Sequence, residues 1–360
     1  MNFDISKFRK GITKEIPGMR IVNQKLRWVS IGNYALNWYV SGDFQRGFPL
    51  GQISMFAGQS GSGKSFMAAS VIQQVMNEGG LVYIIDTENA MNFEWLEKTG
   101  VDTDSEFIIR DELNLVDDCI QHAIKFVDQY IESVKDTKEE DRIPLLVVID
   151  SLGMLSSRTE LDQALKGDLK GDMGRKPKAL KAMVNVFMSK IRGYPISLLM
   201  TNHIYDNQDL FAHDPKISGG HGIEFASGLI LLMQKLKLKE DEDGNKISDV
   251  VGIRSKVSVH KGRFNPLGVM KTLEMRIRFD GGLDPYSGLL ELFEHLGVVE
   301  KDGNRLKYID VEGVEHKYFR KQFTHEIFDK MMLEYPLLQK KNKTEISSVI
   351  ENDKEDEGDE

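Results

Sequence analysis

Four short apolar runs along the chain each stop at a carboxylate, a glycine or a small polar residue. They are the stretch after Gly51 that ends at Gly58, Leu81 to Asp86, Leu145 to Asp150 and Ile196 to Thr201. Runs of this length without polar alternation read as strands covered on both faces, as in a parallel sheet. Helical segments separate them: Ser65 to Glu78, stopped by Gly79-Gly80, then Val116 to Val134, and a third ending near Gly193. Gly228 to Gln234, Val250 to His260 and Leu273 to Phe279 read as further strands, followed by a helix from Gly288 to Leu296. Strands alternating with helices predict an open α/β sheet with parallel crossovers.

Four stretches break the pattern. Residues 1–27 are poor in apolar periodicity and rich in Lys and Arg, which predicts an arm outside the core that serves as a subunit contact or a solvated leader. Trp28 to Pro49 is turn-rich. Ser156 to Lys176 is polar and rich in Gly and Lys, and Asn202 to Gly222 is long for a connection in a compact domain. The expected organisation is therefore an arm (1–27), a core (28–286), a small C-terminal α/β element (287–343) and an acidic, disordered tail (344–360).

The net charge of −9 at first argues against a nucleic-acid partner. The last ten residues, however, hold seven acids and one lysine, so the rest of the chain is close to neutral and its basic segments must be located one by one. A single cysteine, Cys119, excludes an intrachain disulfide and a thiolate metal cluster. There is no signal-peptide core, and the apolar runs are too short to span a bilayer, so the expectation is a cytoplasmic protein with no membrane partner.

Gly58-Gln59-Ser60-Gly61-Ser62-Gly63-Lys64-Ser65 matches G-x-x-x-x-G-K-[ST] between a strand and a helix, the context that gives the motif its meaning. Backbone N–H groups in such a loop turn toward phosphate oxygens, Lys64 adds a point charge, and the Ser65 hydroxyl is a Mg²⁺ ligand. ATP and Mg²⁺ are the cofactors this implies. Asp150, after an aliphatic run, fits the acidic position that orients hydrated magnesium; without the loop it would read as a strand-end cap. Asp86-Thr87-Glu88 closes the neighbouring strand, and Glu88 is the expected base that polarises a water for in-line attack. The alternative is that either acid caps the next helix.

These segments resemble the RecA/RadA recombinases, and within that family the phage branch. The resemblance rests on GQSGSGKS, YIIDTENAMNFEWLEKTGVD, LLVVIDSLGML, MTNHIYD, SGGHGIEFAS and RFDGGLDPYSGLLELFEHLGVV, which together cover about residues 30 to 300. It implies a RecA-type P-loop ATPase core that assembles as a filament on single-stranded DNA and exchanges strands with homologous duplex, served by a loading mediator and a single-strand-binding protein. It also implies that Glu88 activates water, that Trp95 stacks on adenine and that His203 senses the γ-phosphate. Taken alone, Trp95 would read as a packing residue and His203 as a satisfied polar group at a strand end.

The two irregular segments match the family's DNA-binding loops. Arg158, Lys170, Arg175, Lys176 and Lys178 in the first would meet phosphates, with Met173 as an apolar wedge, and Tyr205 and Phe211 in the second would stack on bases. Each lysine alone is more often a solvated one. Lys261 and Arg263 resemble the basic pair that the family projects into a neighbouring subunit's ATP site, where it acts in trans like an arginine finger. By themselves they would be a basic turn. A RecA-fold helicase-type motor and a non-catalytic, ATP-switched mediator remain as rival functions on the same core.

Overall fold

A computed structural model describes residues 3–16, 26–167, 174–205, 215–240, 248–264 and 270–339. In chain order the first elements are α1 (Ile5–Glu15), β1 (Trp28–Val29), α2 (Tyr34–Ser41), β2 (Phe48–Pro49), β3 (Ile53–Gly58), α3 (Lys64–Asn77), β4 (Leu81–Asp86), α4 (Phe93–Lys98) and β5 (Ile108–Glu112). The middle of the chain forms α5 (Val116–Val134), β6 (Leu145–Asp150), α6 (Arg158–Leu165), α7 (Arg175–Lys190), β7 (Ile196–Tyr205), β8 (Lys216–Ile217) and α8 (His221–Ala226). Then follow β9 (Leu229–Leu238), β10 (Gly252–Gly262), β11 (Leu273–Arg278), β12 (Gly282–Leu283), α9 (Leu289–His295), β13 (Val299–Asp302), β14 (Arg305–Ile309) and β15 (Glu315–Tyr318), with α10 over residues 325–339.

The large sheet runs β12-β11-β10-β9-β3-β7-β6-β4-β5, with β8 paired to β7. From β9 to β5 the strands along this path are parallel, and β9 to β12 continue antiparallel. The apolar runs are continuous because both faces are covered. Val82 and Ile84 of β4 and Leu146 and Val148 of β6 enter the core shared with α2 and α3, while Tyr83, Ile85, Leu145, Val147 and Ile149 enter the core shared with α5 and α7. Even-numbered positions on β4 and β6 thus face α3, which puts Asp86 and Asp150 on the phosphate-loop side.

The C-terminal element joins the α2–α3 core through Trp38 against Tyr335 and Phe44 against Phe293.

Three segments are more ordered than their composition predicts. The turn-rich stretch holds α2, capped by the Asn33 side chain accepting from Leu36 N and ended by Gly42 at φ 78°. Its glycine is a helix stop, since that left-handed backbone suits Gly. The polar segment after β6 holds α6, started by a reciprocal capping box between Ser157 and Glu160. β7 runs four residues past Thr201, to Tyr205, because β8 pairs with its end. Among the described residues no helix is long and apolar enough to cross a membrane.

Candidate nucleotide site

The phosphate loop leaves the C-terminal end of β3 and enters α3 at Lys64. Two glycines fix its path. A Cβ at Gly58 would lie 2.3 Å from the Met233 carbonyl oxygen, and Gly63 has φ +96° with its Cβ direction blocked 2.4 Å away by Ile277 Cδ1. Both positions pack directly on the neighbouring strands, so the sheet itself clamps the loop. Lys64 is buried, and its Nζ donates to the carbonyls of Gly58 (3.1 Å) and Gln59 (3.0 Å). Burial pushes its pKa down, with the Asp150 and Glu88 carboxylates opposing that shift.

One cleft gathers Ser60, Gly61, Gly63, Lys64, Ser65, Glu88, Trp95, Asp150 and His203 from β3, β4, β6, β7 and the segments that follow them. Gly58, Gln59 and Ser62 form the remainder of the loop, and Ser62 is itself buried. Phe66, Ala90 and Ile253 complete the lining. Trp95 stands edge-on to Phe66, with ring centroids 5.1 Å apart at 62°.

Asp150 closes β6 and is almost fully buried. Thr201 Oγ1 donates to its Oδ1, and Ser65 lines the same cleft. Its Oδ2 has no hydrogen-bond partner. Burial raises the Asp150 pKa; the Thr201 and Ser65 hydroxyls pull it back, and the charges of Glu88 and Asp86 add to the rise. A buried carboxylate oxygen left unpaired beside a hydroxyl fits a hydrated Mg²⁺, which takes one or two protein ligands and completes its shell with water and phosphate oxygens. No cluster of three or more His, Cys, Asp or Glu able to hold a metal occurs among the described residues.

The acid that closes β4 and the one in the turn after it have different surroundings. Asp86 is buried, accepts from the backbone N–H groups of Glu88 (3.1 Å), Ala90 (3.2 Å) and Met91 (2.8 Å), and pairs with Arg110 (2.8 Å). Glu88 points into the cleft, where it accepts from Ser151 Oγ and lies 3.3 Å from His203 Nε2. Thr87 ties this turn to β6, since its hydroxyl donates to Ser151 O and accepts from Ser151 N, both at 2.8 Å.

Lys261 and Arg263 are not in this cleft. Lys261 Nζ donates to the carbonyls of Glu224 (2.7 Å) and Phe225 (2.9 Å), and Arg263 reaches Phe225 O at 3.4 Å. Burial, then the neighbouring Arg263 charge, lowers the Lys261 pKa. Ile253 lines the cleft near the start of β10, and Lys261 stands eight residues further along the same strand. At the usual rise per residue that separation is roughly 26 Å.

Of the residues expected to meet DNA, Lys170, Met173 and Phe211 lie outside the described residues. Tyr205 is 59% exposed at the end of β7, and Lys178 is exposed on the first turn of α7. Arg158 pairs with Asp118 at 3.6 Å, and Arg175 donates to Thr159 Oγ1 at 2.7 Å. Lys176 turns inward and donates to Gly153 O at 2.8 Å. The space a side chain would need at Gly153 is filled by the His203 ring, so the segment after β6 touches the end of β7 next to Glu88.

Residue patterns along the chain do not single out Thr201 or Arg110. Thr201 closes an apolar run like any small polar residue, and only the β6–β7 register, with Ile149 opposite Met200, sets it beside Asp150. Arg110 is on a strand four elements away from the phosphate loop in sequence and reaches the site through the β4–β5 pairing.

Residues 5–284 match the family described as the RecA N-terminal domain. The chain is 27% identical over 298 residues to the recombination and repair protein of Enterobacteria phage T4, covering 81% of this chain and 70% of that protein. It is 25% identical over 290 residues to Protein RecA of Arthrospira platensis, covering 79% and 70%. It is 27% identical over 287 residues to Protein RecA of Lactobacillus johnsonii, covering 78% and 71%. The family match runs from α1 to the last strand of the large sheet and takes in every element that contributes a wall of the cleft; the chain belongs to the RecA family of recombinases.

Proposed function

We propose that this recombinase is a DNA-dependent ATPase that hydrolyses MgATP to ADP and phosphate, assembles as a filament on single-stranded DNA, and exchanges strands with homologous duplex. The observation that carries the proposal is Glu88, a carboxylate held over the phosphate loop between Ser151 and His203 and in the same cleft as Lys64. A carboxylate in that position orients a water and takes its proton as the water attacks the terminal phosphorus in line. The loop N–H groups and Lys64 hold the β- and γ-phosphates, and the Trp95 face receives the base. Ser65 and Asp150 hold Mg²⁺, which supplies charge neutralisation on the phosphate oxygens.

Lys261 and Arg263 act on the site of an adjacent subunit. Their place well along β10 from their own cleft favours that reading, because neither side chain can span roughly 26 Å. Turnover then depends on assembly. His203, in contact with both Glu88 and Gly153, carries the state of the phosphates to α6, the start of α7 and the end of β7, where Arg158, Arg175, Lys178 and Tyr205 face DNA.

The test is ATP hydrolysis without DNA, with single-stranded DNA and with duplex, at several salt concentrations. Strong activation by single strands that fades as salt rises is the expected result. A rate indifferent to DNA leaves a nucleotide-switched mediator. Unwinding of a forked duplex without formation of homologous joints leaves a helicase-type motor.

A further inference from the structure

Glu88 hangs on a six-residue turn, Asp86 to Met91, whose backbone wraps around a single carboxylate. The two Asp86 oxygens accept from Glu88 N, Ala90 N and Met91 N, so the Asp86 side chain is the mould on which the turn is cast. Asn89, next to Glu88, has φ 53°, a left-handed backbone that Asn adopts more readily than most residues. One side chain holds both points. Arg110 Nη2 donates to Asp86 Oδ2 at 2.8 Å and to Asn89 Oδ1 at 2.9 Å, while Nη1 donates to Glu112 Oε1 at 2.5 Å. Arg110 sits on the edge strand β5, opposite Ile84 of β4, with only 12% of its side chain exposed.

We infer that Arg110 is a positioning residue for hydrolysis: it fixes the backbone on both sides of Glu88 and thereby aims the Glu88 carboxylate at the attacking water. This rests on the reading of Glu88 as the base.

Two features separate that role from plain stabilisation. A buried ion pair is weak grounds for stability, because desolvating both ions offsets most of their attraction, and apolar replacements of such pairs are often neutral. Arg110 also leaves its own Nε buried without a partner, a cost that a residue retained only for packing would not need to carry. Besides Glu112 on its own strand, its contacts are to the residue two before Glu88 and the residue one after it. A guanidinium suits this task, since Nη1 is held by Glu112 while Nη2 meets both turn acceptors, which fixes the orientation of the planar group where an ammonium would act as a point charge.

The test compares Arg110→Met, Arg110→Lys and Asn89→Gly with wild type and with Glu88→Gln, in full-length protein saturated with single-stranded DNA. Steady-state kcat, KM and the Kd of a fluorescent ATP analogue are measured for each. Misplacing a reacting group by about 1 Å costs on the order of 100-fold. Arg110→Met is therefore expected to lower kcat by about 30- to 100-fold with Kd within about twofold of wild type. Arg110→Lys recovers part of the loss. Asn89→Gly keeps the left-handed backbone and removes only the acceptor, so it folds and loses about 3- to 10-fold in kcat. The double variant Glu88→Gln/Arg110→Met turns over no more than about threefold slower than Glu88→Gln alone, because both act on one step.

If Arg110→Met does not fold, Arg110→Lys and Asn89→Gly decide between the outcomes. Wild-type kcat in both, with Glu88→Gln inactive, overturns the role of Arg110 and leaves Glu88 standing. Wild-type turnover in Glu88→Gln overturns the reading of Glu88 and the inference with it.

Discussion

Thr201 offers the sharpest perturbation of the proposed metal side of the cleft. Its buried hydroxyl donates to Asp150 Oδ1, and the exchange of Thr201 for Val keeps the shape of the side chain while removing that donor. A hydrogen bond to a charged group contributes about 1.5 to 3 kcal/mol, and partners that orient a metal-binding carboxylate typically change metal affinity by about 10- to 100-fold when removed. The two figures agree, since 1.4 kcal/mol is about a factor of ten. Burial already raises the Asp150 pKa and Thr201 opposes that rise, so Thr201→Val makes the charged form harder to keep, most of all toward acid pH.

The assay is binding of a fluorescent ATP analogue in EDTA and again in excess Mg²⁺. In EDTA the variant is expected to match wild type within about twofold, because the loop contacts are untouched. The gain in affinity on adding Mg²⁺ should shrink by about 10- to 100-fold. An equal Mg²⁺-dependent gain in both proteins, with Thr201→Val folded, would refute the assignment of Asp150 to the metal.

Three further outcomes are expected. Gly63→Ala forces a side chain into φ +96° and against Ile277, so it should lower stability by at least about 1 to 2 kcal/mol and weaken ATP binding, as read by thermal melts and analogue binding. Cys119 is buried on α5, with its thiol pushed up to about 12 by burial and then by the Asp111 charge, so a thiol reagent at pH 8 should label it only after unfolding. A raised folded-state pKa gives stability that is complete below the ordinary thiol value and lost as pH climbs from about 9 toward 12; urea melts across that range should fall by up to about 1.4 kcal/mol per pH unit more steeply in wild type than in Cys119→Ala. Mixtures of Lys261→Ala and Glu88→Ala subunits, each inactive alone, should regain hydrolysis where an intact Lys261 meets an intact Glu88, and no recovery at any ratio counts against action in trans.

The phosphate loop was legible in the sequence because its chemistry is local: eight contiguous residues supply the glycines, the lysine and the hydroxyl. The parallel strands were legible for a related reason, since burial on both faces writes itself as an unbroken apolar run whatever the neighbours are. Helix starts and stops carry equally local signals, and α2 and α6 were hidden only because Gly42 and the Ser157–Glu160 pair lie in segments whose composition otherwise reads as turn or loop.

Tertiary structure decided what depends on which strands lie side by side. The β6–β7 register brings Thr201 to Asp150, and the β4–β5 pairing brings Arg110 to Asp86 and Asn89, over sequence separations that no local pattern spans. Asp86 and Glu88 differ by two positions and carry the same functional group; their surroundings alone send one into the backbone of its own turn and the other into the cleft. Lys261 likewise owes its separation from the cleft of its own subunit to the length of β10 and its reversed direction beside β9, a consequence of sheet topology rather than of anything within the Lys-Gly-Arg segment itself.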